Sequence, residues 1–122
     1  LDIKKEFNID KFDIIMGNPP YNKEFKGKNS YAEPLYNFFV EKYFDLCKIM
    51  IFITPSRWFN GGKGIEKFTK NMLKRRDIKL IKHNIDSSKI FGNSVIIKGG
   101  VSYFLKDSHC KDLRLFNGNK ID

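Results

Sequence analysis

The chain has 122 residues and 14.3 kDa, 41% hydrophobic and 15% aromatic; this is enough for one domain with a core and too apolar for disorder. Lys and Arg number 23 against 14 Asp and Glu, a formal charge of +9, which points to an anionic partner, most simply nucleic acid. No apolar run approaches the roughly 20 residues of a membrane span and no signal-peptide pattern opens the chain, so a soluble, cytoplasmic protein without membrane partners is expected.

In chain order, residues 12–17, Phe-Asp-Ile-Ile-Met-Gly, form an apolar run stopped by Asn18 and two prolines. That is the pattern of a buried parallel strand, which prolines cannot continue. Residues 22–33 are polar and read as a loop. From Pro34 to about Cys47, Leu35, Phe38, Phe39, Tyr43, Phe44 and Leu46 recur at helical spacing, with Pro34 in a first turn. Residues 48–54 are a second apolar run, ended by Pro55. Asn60-Gly61-Gly62-Lys63-Gly64 then leads into a helix with Ile65, Phe68, Met72 and Leu73 on one side; Lys70, Lys74, Arg75 and Arg76 read as its solvated face.

Ile78–Ile85 and Ser94–Leu105 read as strands, and Gly99-Gly100 predicts a bulge or a close backbone approach. A short strand at Leu113–Phe116 completes the tail. The order β-α-β-α-β-β predicts an α/β sheet covered on both faces. The last two strands are joined too tightly for a crossover, so they should be antiparallel. Two features weaken other readings. Lys, Ile, Phe and Asn share AT-rich codons and dominate the chain, so the basic balance is mild support for a polyanion. Cys47, Cys110, His83 and His109 lack metal-ligand spacing, so no metal site is legible.

The most informative residues are Asn18-Pro19-Pro20-Tyr21, at the carboxyl end of a parallel strand, where open α/β sheets place ligands. Two prolines fix the backbone, so a carbonyl can be held in one direction. Asn18 adds a side-chain carbonyl and Tyr21 an aromatic face. The cluster can accept two hydrogen bonds from an amino group and stack a planar ring. An ordinary strand-ending turn is the plain alternative.

FDIIMGNPPYN resembles the catalytic motif of S-adenosylmethionine-dependent amino-methyltransferases. With ITPSRWFNGGKGIEKF and SSKIFGNSVIIKGGVSYFLKD, the chain from Phe12 to Asp107 resembles the N6-adenine DNA methyltransferases of type II (type IIG-like) restriction–modification systems. The resemblance implies that Asn18 and the Pro19 carbonyl accept the two hydrogens of adenine N6. The lone pair is thereby localised for in-line attack on the sulfonium methyl, with Pro20 holding the turn. It implies that the base leaves the duplex and stacks on Tyr21, and that Phe91 takes the place of a second aromatic. Phe91 reads equally as a core residue beside Ile90. Arg57, Trp58 and Lys63 are weak candidates for DNA contacts, Trp58 reading at least as well as packed. The 61–64 glycines read best as a helix-entry turn.

The family's cofactor half, with a Gly-rich turn and an acidic residue, has no counterpart before Phe12, so cofactor-binding residues stay unassigned. The resemblance therefore implies that residues 1–122 are the C-terminal half of a three-layer Rossmann-like methyltransferase domain. Alone it would bind S-adenosylmethionine poorly and be inactive. Its expected partners are DNA, the missing N-terminal half and, through an exposed strand edge, a second copy. Two other readings stand beside this one. One is an RNA or protein-glutamine N-methyltransferase fragment; the other is a non-catalytic basic nucleic-acid-binding module.

Overall fold

A computed structural model describes residues 2–23, 33–109 and 114–121. Most of the polar loop read at 22–33 lies outside them, as does Cys110. Six strands form one mixed sheet, β1 (Phe12–Gly17), β2 (Cys47–Pro55), β3 (Ile78–Asn84), β4 (Val101–Asp107), β5 (Arg114–Phe116) and β6 (Asn119–Ile121), in the spatial order β1-β2-β4-β3-β5-β6. The helices are α1 (Ile3–Phe7), α2 (Tyr36–Tyr43), α3 (Glu66–Lys74) and α4 (Ser88–Phe91), with 3₁₀ turns at Phe44–Leu46 and Ser56–Asn60. The fold class read from the sequence is the one observed. β1 is parallel to β2, and β4 lies antiparallel between β2 and β3. The strand–strand junction after β3 thus reverses direction as expected.

Several boundaries differ, each for a local reason. The helix read over 34–47 is shorter: Pro34 pairs in a bridge with Asn22, and the last turn tightens to 3₁₀ before Cys47 enters β2. The carbonyls left open there are taken by a lysine. Lys106, 2% exposed, donates from Nζ to the Phe44 carbonyl at 2.9 Å and to the Cys47 carbonyl, satisfying groups that a helix end leaves unpaired. Arg75 is not simply solvated. It leaves α3, lies 3.5 Å from the centre of the Phe44 ring and donates from Nε and Nη2 to the two Asp77 carboxylate oxygens, each at 2.9 Å. The strand read from Ser94 begins only at Val101, and the one register irregularity in this pairing falls between Ile78 and Leu80.

The core lies on one face of the sheet. Met50, Phe52 and Phe104 meet Tyr36, Val40 and Phe44 from α2 and its 3₁₀ turn, Phe68 and Met72 from α3, and Trp58. On the other face Ile49, Ile51, Ile53, Tyr103 and Leu105 are only half-buried, and Ile14 and Met16 of β1 are 54% and 70% exposed. The two-sided cover predicted from continuous apolar strands is therefore met on one side only among the described residues. No helix is long and apolar enough to cross a membrane.

Candidate active site

Because β4 runs antiparallel to both β2 and β3, the carboxyl ends of β1, β2 and β3 share one end of the sheet with the start of β4. The segments following those ends carry Asn18-Pro19-Pro20-Tyr21, then Arg57, Trp58 and Lys63, then Phe91. Open α/β sheets place ligands at this end.

The Asn18 turn is anchored on both sides. It leaves β1 at Gly17 and returns through a short antiparallel contact into α2. The Tyr21 carbonyl accepts from Leu35 N–H at 2.9 Å, Lys23 N–H donates to the Glu33 carbonyl at 2.9 Å, and Asn22 bridges Pro34. Within the turn Pro19 is buried and Asn18 and Pro20 are exposed, so the rigid residue is fixed while the amide side chain faces solvent. The half-buried Tyr21 ring meets Tyr36 edge-on at 6.4 Å, and Tyr36 meets Phe68 in the same way at 6.0 Å. Both phenol hydroxyls, and the Asn37 side-chain carbonyl, are buried without a hydrogen-bond partner among the described residues. Burial pushes both phenols up to about 12, with the Arg57 charge pulling Tyr36 part of the way back. A groove of about 640 Å³ opens beside the turn, with Asn18, Pro19 and Pro20 at one part and Met16, Phe39 and Tyr43 along it.

After β2, the structure places Trp58 in the core and not at a surface for DNA. It is 2% exposed, donates from Nε1 to Thr54 Oγ1 at 3.3 Å, and packs edge-on against Phe59 and Phe68. A large indole beside two rings gains more from burial than from water. Arg57 and Lys63 are exposed. The Arg57 guanidinium lies over Gly62, where an added Cβ would come within 3.2 Å of Nε. Gly61 and Gly64, at φ 72° and 87°, make the helix-entry turn read from the sequence.

Sequence reading missed a tie that holds this end together. Ser56 Oγ and His83 Nδ1 are 2.7 Å apart, and Ser56 N–H donates to the Gly100 carbonyl at 3.0 Å. The His83 ring in turn lies near Phe59 at 5.4 Å and Phe116 at 6.4 Å. Nothing local marks Ser56 and His83 as partners, since the pairing joins two separate strand ends.

Phe91 ends α4 and is half-buried. Its loop is pinned: the Asp86 carboxylate accepts from Ser88 N–H and Oγ–H at 3.0 and 2.6 Å. The buried Ser87 hydroxyl donates to the Val95 carbonyl at 3.3 Å and accepts from Ile97 N–H at 2.9 Å. Phe91 shares the sheet end with Tyr21 but does not touch it among the described residues; β2 and β4 intervene. The structure thus holds Asn18, Pro19 and Tyr21 in one anchored turn, with Phe91 across the sheet end.

Residues 1–91 match the model of the Eco57I restriction-modification methylase family. A Mycoplasma pneumoniae protein described as an uncharacterized adenine-specific methylase is 34% identical over 119 residues, covering 93% of this chain and 28% of its own length. The chain thus spans little more than a quarter of that relative. The family match takes in the whole Asn18 turn, β2 and the loop to Phe91, and on that extent the chain belongs to the Eco57I restriction-modification methylase family.

Proposed function

We propose that this chain is the acceptor-binding part of a site-specific DNA adenine-N6 methyltransferase, acting in a restriction–modification system and in the cytoplasm. The observation that carries the reading is the rigid Asn18-Pro19-Pro20-Tyr21 turn at the carboxyl end of a parallel strand, in a chain of this family. A purine amino group has two hydrogens and a lone pair delocalised into its ring. Asn18 Oδ1 and the Pro19 carbonyl accept those hydrogens, which draws the lone pair back onto nitrogen. Pro20 holds the turn, and the exposed part of Tyr21 stacks one face of an adenine turned out of the duplex, with Phe91 completing the wall. Turning the base out costs about a few kcal/mol, which stacking offsets in part. The chemistry then depends on positioning and fixed dipoles, with no covalent enzyme intermediate. Arg57 and Lys63 meet phosphates as positioning contacts.

S-adenosylmethionine is the methyl donor in this reading. The described residues fit it only in part. The groove beside Asn18 has an apolar wall, but no acidic side chain lines it for ribose hydroxyls. We therefore derive no step through the cofactor from these residues. A further segment with a Gly-rich turn is the partner that completes the site, and this chain alone is inactive.

The test is Asn18→Ala in the complete methylase that contains this sequence, scored by methyl incorporation into adenine. Transfer should fall about 10²–10³-fold, as for loss of one preorganised polar group at a reacting centre. The unfolding midpoint should not move, because Asn18 is exposed. Retained methylation would overturn the assignment.

A further inference from the structure

Arg57 stands exposed between two buried residues that the fold pins. Before it, Ser56 donates its N–H to the Gly100 carbonyl and holds its hydroxyl 2.7 Å from His83 Nδ1. After it, the Trp58 carbonyl accepts from Thr69 Oγ1 at 2.6 Å while the indole donates to Thr54. The guanidinium itself rests over Gly62, where no side chain competes for the space. An arginine gives up much rotamer freedom when a partner fixes it. Less is lost where the backbone is already held on both sides.

Of these ties, the one from Ser56 to His83 reaches furthest, since β4 lies between β2 and β3. His83 is fixed before any ligand arrives. Its N–H donates to Asn117 Oδ1 at 2.7 Å, and its ring lies 5.4 Å from Phe59 and 6.4 Å from Phe116. Phe59 and Phe116 also meet each other edge-on at 5.9 Å. A phenylalanine at position 83 would suit such neighbours without desolvating a polar atom; what the imidazole adds is a hydrogen-bonding nitrogen facing Ser56. The charge of Arg57 is felt at Tyr36, whose ring packs on Tyr21, so the guanidinium lies on the side of the acceptor turn.

We propose that His83 is a positioning residue for DNA: through Ser56 it sets the direction of Arg57, so that the guanidinium meets a phosphate beside the acceptor turn already ordered. His83 touches no DNA itself. The proposal rests on the reading above in which Arg57 contacts a phosphate.

The experiment measures the affinity of the complete methylase that contains this sequence for a fluorescein-labelled duplex, by anisotropy over a range of salt, with unfolding midpoints alongside. Arg57→Gln should weaken binding about fivefold and lower the salt slope by about 1. His83→Phe keeps a ring beside Phe59 and Phe116 and removes Nδ1. It should weaken binding about threefold in the protein with Arg57 and not at all in the Arg57→Gln protein, the signature of one residue acting through the other. Ser56→Ala, which removes the other half of the tie, should repeat both results. His83→Asn places a polar atom where Nδ1 was and gives up the ring, so it should restore affinity even as its unfolding midpoint falls. A role in folding alone gives the reverse order, with His83→Phe binding like the parent and His83→Asn weakened. That order, or a loss from His83→Phe that is the same with and without Arg57, overturns the proposal. Unchanged affinity and salt slope in Arg57→Gln overturns it as well, together with the phosphate contact. The acceptor turn fails separately: normal methylation by Asn18→Ala with the His83–Arg57 coupling intact removes the turn and leaves His83 in its role.

Discussion

The Tyr21 and Tyr36 hydroxyls are unusual in being buried, neutral and unpartnered among the described residues. Burial leads both shifts, to about 12 from 10, so the folded chain keeps these protons to higher pH than the unfolded chain. The stability this contributes is whole below pH 10 and is lost as pH rises through 12. Ultraviolet titration should find two phenols still neutral at pH 11. Tyr21→Phe removes an orphaned hydroxyl while keeping the ring contact, so it should raise stability by about 1 kcal/mol in urea unfolding and lessen the alkaline loss. An unchanged alkaline limb would contradict the burial. At this scale the Asn18 turn was legible as a rigid strand-ending turn because Asn18-Pro19-Pro20-Tyr21 are consecutive and stop an apolar run. Tyr36 was not, since its place beside Tyr21 is made by the return of the chain from β1 into α2. The Ser56–His83 tie was hidden for the same reason, and Trp58 shows the converse: a residue type common at DNA surfaces, buried by its neighbours.

Strands and turns were legible where proline or glycine punctuates an apolar run, as at Gly17, Pro55 and the 61–64 glycines. The 94–105 segment failed because β-rich composition hides a turn. Val95, Ile96 and Ile97 read as strand, yet Gly99 and Gly100 take φ of 87° and 84° and the pairing starts only after them. The two glycines are unequal. A Cβ on Gly99 meets open space; one on Gly100 meets the backbone of Asn84 and Ile85. Gly99→Ala should therefore cost about 1–2 kcal/mol, the left-handed penalty alone. Gly100→Ala should cost clearly more and displace Ser56, whose N–H bonds the Gly100 carbonyl. Paired denaturation curves test this, and equal losses would deny the close approach.

The sheet as a whole has one finished face and one open one. Continuous apolar runs state that β1 and β2 call for cover on both sides, and the sequence conveyed that demand without saying what meets it. Among the described residues no hydrogen bond reaches the outer side of β1, and Ile14 and Met16 lie exposed beside it. Open strand edges of this kind pair with other chains. In isolation the chain should therefore self-associate through β1, with a light-scattering mass that rises with concentration. Ile14→Lys with Met16→Lys should hold it monomeric, since lysines on an edge strand blunt it. A constant monomer mass for the unmodified chain would argue against the edge as a contact.

An uncovered edge also ties the lifetime of the polypeptide to whatever closes it. Ligation of the folded form adds stability as RT ln(1 + [L]/Kd), while uncovered molecules are those that chaperones and proteases remove. On the reading proposed above, in which a further segment completes the site and covers this edge, the amount of this chain in a cell follows the supply of that segment: β1 acts as a gauge of stoichiometry, and surplus uncovered copies are cleared before they accumulate.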